Sequence, residues 1–88
     1  MTWKVVIEKR ALKEIGRLGK PDQIRIMRFL KENLSTTDDP RSNGSPLSGS
    51  LSHLWRYRVG NYRIISKIED DELSVLVVRV GHRKEVYR

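Results

Sequence analysis

The chain contains no cysteine, so disulfides, thiolate zinc sites and thiol nucleophiles are all excluded. Its apolar runs are only a few residues long, too short for a membrane span or a secretory h-region. That pattern predicts a soluble cytoplasmic protein with no membrane partner. Also missing are the Gly-x-Ser-x-Gly elbow, the phosphate-binding loop and the dinucleotide fingerprint. Carboxylates and imidazoles do not gather at ligand spacing. Glu69 to Glu72 is one contiguous acidic turn without the glycine or ligand alternation of a calcium loop, and neither His53 nor His82 has a sequence-near partner. The expectation is therefore no metal and no cofactor. Acid is scarce as well: 11 Asp and Glu stand against 18 Lys and Arg, a formal charge of +7. Such a balance favours an anionic partner such as nucleic acid over a membrane surface, because both expected helices mix charge signs and are needed for the core.

Eighty-eight residues suffice for one domain, 1–88, with one layer of helix on one layer of sheet. Trp3, Val5 and Ile7 alternate with Lys4, Val6 and Glu8, which predicts a first strand. Ala11, Leu12, Ile15 and Leu18 recur at helical spacing, and Gly19 is expected to stop that helix. Pro21 and Asp22 open a second helix whose apolar stripe holds Ile24, Ile26, Met27, Phe29, Leu30 and Leu34. A helical hairpin packed on a sheet follows. Residues 35–50 are rich in turn formers and form a crossing loop, anchored by Leu47 and Leu51.

The stretch Trp55 to Ile68, WRYRVGNYRIISKI, carries the functional signal. Gly60-Asn61 between two alternating runs reads as a two-residue type II′ hairpin loop, which sets Val59 opposite Tyr62, Arg58 opposite Arg63, Tyr57 opposite Ile64 and Arg56 opposite Ile65. Trp55, Tyr57, Val59, Tyr62, Ile64 and Ile68 then share one face, and Arg56, Arg58, Arg63 and Lys67 the other. Two arginines directly opposite each other cost stability unless an anion lies between them, and that cost points to function. Asp70-Asp71-Glu72 make a second turn before the buried run Leu73 to Val80. A three-residue loop there pairs Ile64 with Val78 and Arg63 with Arg79 and puts Leu76, Val78 and Val80 in the core, while a two-residue loop reverses that parity; the first is expected because it gathers Arg79 and Arg83 onto the cationic face.

Metal-free phosphate chemistry suits this set. RNA carries its own nucleophile, the 2′-hydroxyl, so a protein need only align it, take its proton, stabilise the phosphate oxygens and protonate the leaving 5′-oxygen. Guanidinium groups are planar, charged and bidentate toward phosphate, but poor at proton transfer. Tyr87, its phenol lowered from ~10 by surrounding cations, and His82 are the sequence-local candidates for that task.

With these residues in view, the chain resembles the RelE/ParE superfamily of toxin–antitoxin toxins, and more closely its RelE branch. The resemblance spans KRALKEIGRL, PLSG before the sheet, WRYRVGNYRIISKI and the closing VRVGHRKEVYR. It implies an α+β fold ordered β-α-α-β-β-β, with a helical hairpin on one face of an antiparallel four-stranded sheet. RelE toxins enter the ribosomal A site and cut the message there without metal, leaving a 2′,3′-cyclic phosphate, and an antitoxin blocks them in a hetero-oligomer. Position by position, the resemblance places the basic strand on Arg56 and Arg58, the phosphate-stabilising arginine on Arg63, the late catalytic arginine on Arg83 and the tyrosine on Tyr87. Lys67, Arg79 and Lys84 are expected to add RNA contacts, and His82 is a further acid or base candidate. Studied members carry lysines where Arg56 and Arg58 stand, which leaves the general base open between Tyr87 and another group. Two rivals remain: a ParE-like inhibitor of DNA gyrase that cuts no RNA, and a non-catalytic nucleic-acid-binding module.

Overall fold

The computed structural model describes residues 3–82. Five strands form one sheet in the order β1-β5-β4-β3-β2: β1 is Lys4–Ile7, β2 Ser45–Pro46, β3 Trp55–Val59, β4 Tyr62–Glu69 and β5 Ser74–His82. Two helices, α1 (Lys9–Gly16) and α2 (Lys20–Arg28), cover one face, and α2 widens into a π-helical turn over Phe29–Leu34. The α+β arrangement of a helical hairpin on a sheet is as expected. The sheet itself is corrected in two respects. It has a fifth strand, the two-residue β2 inside the expected loop, and β1 runs parallel to β5, so the sheet is mixed.

The hairpin takes the expected register at every pair, from Arg56↔Ile65 to Val59↔Tyr62. Gly60 is its one loop residue with positive φ, +60°, as a type II′ turn requires at the first central position. Beyond it, the expected β4–β5 register fails. The turn holds four residues, Asp70 to Leu73, and closes on Leu73 in the left-handed region at φ 48°, so Glu69 pairs with Ser74. This puts Val75 and Val77, not Leu76 and Val78, in the core. Val78 then bulges out between the pairs Ser66↔Val77 and Ile65↔Arg79, an extra residue that reverses the parity. Val80 thereby returns to the core face opposite Ile64, and Arg63 faces Gly81 instead of Arg79.

The core joins Trp3, Ala11, Ile15, Ile26, Leu30 and Leu34 to Tyr57, Val59, Ile64, Val75, Val77 and Val80. Each Ile, Leu and Val among them contributes about 1.5–3 kcal/mol by leaving water. Three residues of the expected stripes stay outside: Leu12, Ile24 and Met27 are all exposed. A second, smaller cluster lies on the other face of the sheet, where Leu47 and Leu54 cover Ile65 and Val78. Leu47 is thus the anchor expected of it, while Leu51 is exposed. The loop is tied down further by buried Tyr57, whose hydroxyl donates to the Pro40 carbonyl at 2.8 Å. Gly19, expected to stop α1, instead stands at the N-cap of α2, and the chain leaves α1 already at Gly16.

Candidate nucleic-acid interface

Period-two geometry carries Arg56, Arg58, Arg63 and Lys67 to the sheet face opposite the helices, as the hairpin pattern dictates. Arg58 and Arg63 face each other across the ribbon, which places their Cβ atoms about 4.5–5.5 Å apart. Together with Gly60 and Tyr62 they line a cavity of about 240 Å³ at the hairpin tip. Arg58 is exposed, Arg63 is half-buried, and Lys67 is exposed further down β4. Arg56 is half-buried and its guanidinium donates to Ser45 Oγ at 2.8 Å, so β2 exists in part to aim this arginine. Gly44 makes that pairing possible: a Cβ there would overlap the Arg56 carbonyl and the Tyr57 ring.

Arg79 shares the cationic face with Arg63 because of the bulge, yet its charge is already engaged. Its Nε donates to Glu14 Oε2 at 3.0 Å, while Glu14 Oε1 accepts the Val80 backbone N–H at 2.8 Å. Past Ile7 the neighbouring strand has ended, so Glu14 caps the stretch of β5 edge that β1 leaves uncovered. His82 is exposed, pairs with Tyr62 and meets its ring edge-on, with centroids 6.0 Å apart. It therefore points to the helix side of the sheet, away from Arg63. Arg83, Lys84 and Tyr87 lie outside the described residues. Among the described residues, no three His, Asp or Glu side chains gather as a metal site, and His53 is exposed.

Two participants at the tip escape a reading by period alone. Tyr62 belongs to the core face, yet its position beside the turn lets it line the cavity with the two arginines. Its hydroxyl donates to Asp22 Oδ2 at 3.0 Å, and this bond to the carboxylate raises the phenol above its ordinary value. Arg25 of α2 reaches over Gly60, where an added Cβ would lie 2.7 Å from its Nη1. The bareness of Gly60 admits that third guanidinium. A cation on α2 three residues before the helix end carries no sequence signal that would single it out.

With a paired-arginine sheet face backed by a helical hairpin, the chain is a small α+β domain, and its similarity to known proteins places it in the RelE/ParE superfamily. The family model described as the ParE toxin of the type II toxin–antitoxin system parDE matches residues 5–87. The chain belongs to that family, and it is a type II toxin–antitoxin toxin. It is similar to Toxin RelG of Mycobacterium tuberculosis (strain ATCC 25618 / H37Rv), with 28% identity over 88 residues, 100% of this chain and 99% of that protein. Among solved structures it resembles a chain of the toxin–antitoxin complex RelBE2 from Mycobacterium tuberculosis, with TM-score 0.86 and 26% identity over 97% of this chain and 95% of that one. It also resembles a chain of the archaeal RelE–RelB complex from Pyrococcus horikoshii OT3, with TM-score 0.76 and 26% identity, covering 98% and 100%. No helix among the described residues is long and apolar enough to cross a membrane.

Proposed function

We propose that the protein is a ribosome-dependent endoribonuclease that cleaves mRNA in the ribosomal A site and so inhibits translation. The observation that carries this reading is the Arg58–Arg63 pair, two facing guanidinium groups at a cavity at the hairpin tip. In the reaction, the 2′-oxygen attacks the adjacent phosphorus and the bond to the 5′-oxygen breaks, giving a 2′,3′-cyclic phosphate and a free 5′-hydroxyl. Arg58 and Arg63 stabilise the charge that accumulates on the non-bridging oxygens, and Arg56, aimed by Ser45, holds a neighbouring phosphate. Arg83 completes the cationic set, Tyr87 takes the 2′-hydroxyl proton, water protonates the leaving 5′-oxygen, and His82 is the alternative acid or base. Lys67 and Lys84 neutralise the flanking strand. Arg79, committed to Glu14, acts by bracing β5 instead of meeting RNA directly.

The protein works as one unit, 1–88, in the cytoplasm, needs no cofactor, and is silenced by a cognate antitoxin in a hetero-oligomer. Complexes of toxin with RelB antitoxin among its structural relatives support that partnership. The family model bears the ParE name, which favours gyrase inhibition as the second reading. What accompanies growth arrest separates the two. Expression of wild type is expected to halt protein synthesis within minutes while plasmid supercoiling is unchanged, and Arg58→Ala and Arg63→Ala are expected to relieve the arrest. Arrest with relaxed plasmids and intact messages would instead establish the gyrase reading.

A further inference from the structure

A second cationic surface lies outside the hairpin. Lys9, Arg10 and Lys13 project from α1, Arg17 follows at its end, and all four are exposed. With Glu14 they line a cleft of about 540 Å³. Lys9, Lys13 and Arg17 form a row at four-residue intervals, so successive charges rise by about 6 Å along the helix, a spacing that suits successive phosphates of an extended strand. The core takes nothing from them, since the buried residues of α1 are Ala11 and Ile15.

The placement works against the helix. Its first turn contains no acid beyond the exposed N-cap Glu8, so Lys9 and Arg10 sit at the end where the macrodipole repels cations, and Lys9–Lys13 and Lys13–Arg17 are like-charge neighbours. The single acid in the cleft does not relieve them. Glu14 is turned to Arg79 and the Val80 N–H, and none of the four cations has an acidic partner among the described residues. Arg79 also marks where this ridge lies, because it reaches from the Arg63 face to α1 around the β5 edge. Arg79 thus ties α1 to β5, and Glu8, exposed at the α1 N-cap with its backbone N–H on the Val77 carbonyl, is a carboxylate that stands beside this seam.

We propose that the α1 ridge of Lys9, Arg10, Lys13 and Arg17 is a second RNA-backbone site, which grips sugar–phosphate away from the scissile bond while the hairpin arginines address that bond. This rests on RNA being the ligand of the hairpin face. Binding comes from counterion release, which is measurable through salt. The test uses the full-length protein and ribosomes programmed with a message 2′-O-methylated across the A-site codon, so that nothing is cleaved, over a range of KCl at fixed magnesium. In the Lys9→Gln/Arg10→Gln/Lys13→Gln/Arg17→Gln variant, the slope of log affinity against log salt is expected to shrink by about 3. Swapping Lys for Arg and Arg for Lys at the same positions is expected to restore it, and a cooperative melt at or above the wild-type temperature shows that the fold is kept. Cleavage of an unmodified message at saturating protein is expected to persist in the variant. An unchanged slope, in a wild type that binds and cleaves, overturns the ridge alone. Loss of antitoxin binding with ribosome binding intact also overturns it and assigns the ridge to an acidic protein segment. A wild type that binds no programmed ribosome overturns the nuclease reading as well.

Discussion

Replacing Tyr57 by Phe tests how the fold holds the loop that aims Arg56. The phenol is fully buried, donates to the Pro40 carbonyl at 2.8 Å, and is pushed up to about 12 from 10.0 by burial, against a smaller pull from Ser66. Near neutral pH the variant loses one buried hydrogen bond and strands a carbonyl, a cost of about 1–2 kcal/mol. At high pH the order changes. The unfolded chain releases this proton near pH 10, while the folded chain keeps it to about pH 12. The wild type is therefore fully stable below the lower value and loses about 2–3 kcal/mol as pH rises through the window. Phe has no proton to lose, so the two stability curves converge and cross. Urea unfolding followed by the fluorescence of Trp3 and Trp55, both packed on this core, reports the difference directly. Curves that stay parallel from neutral pH to about pH 12 would refute the account of a buried, hydrogen-bonded phenol.

Three further substitutions probe the same framework. Arg58→Gln removes one of two facing charges and is expected to raise stability by about 0.2–1 kcal/mol at low salt while abolishing toxicity, as thermal melts beside growth assays would reveal. Glu14→Ala strands the Val80 N–H and half-buried Arg79 together, so a loss of about 2–4 kcal/mol in urea titrations is expected, with Glu14→Gln milder because it keeps an acceptor. Gly44→Ala drives a Cβ into the Arg56 carbonyl and should cost at least about 2 kcal/mol, with hydrogen exchange rising first across Ser45 and Pro46.

The hairpin was legible because Gly60-Asn61 admits one loop length, and a two-residue loop leaves no choice of register. From that single fact came the cationic face and the Arg58–Arg63 pair. The next turn was not legible, since four-residue closure depends on Leu73 entering the left-handed region, which a leucine does not advertise. Nor does Val78 differ chemically from its neighbours, although its bulge decides which side Arg79 takes. Periodicity overstated the core at Leu12, Ile24 and Met27, because an apolar stripe on a helix does not say how far round the sheet reaches. The parallel pairing of β1 with β5 is a contact between chain segments about seventy residues apart and has no local signature. The charge of Arg79 is visible in the sequence, but its ion pair with Glu14, 65 residues away on α1, has no local signal. The placement of Arg83, Lys84 and Tyr87 lies outside the described residues.

Translation of a defined message in vitro with the purified protein, with RNA ends mapped by primer extension, tests the central claim most directly. The account predicts new ends within codons at the A site, carrying 2′,3′-cyclic phosphate, lost in Arg63→Ala and absent when ribosomes are omitted. Intact message with translation undiminished would contradict it.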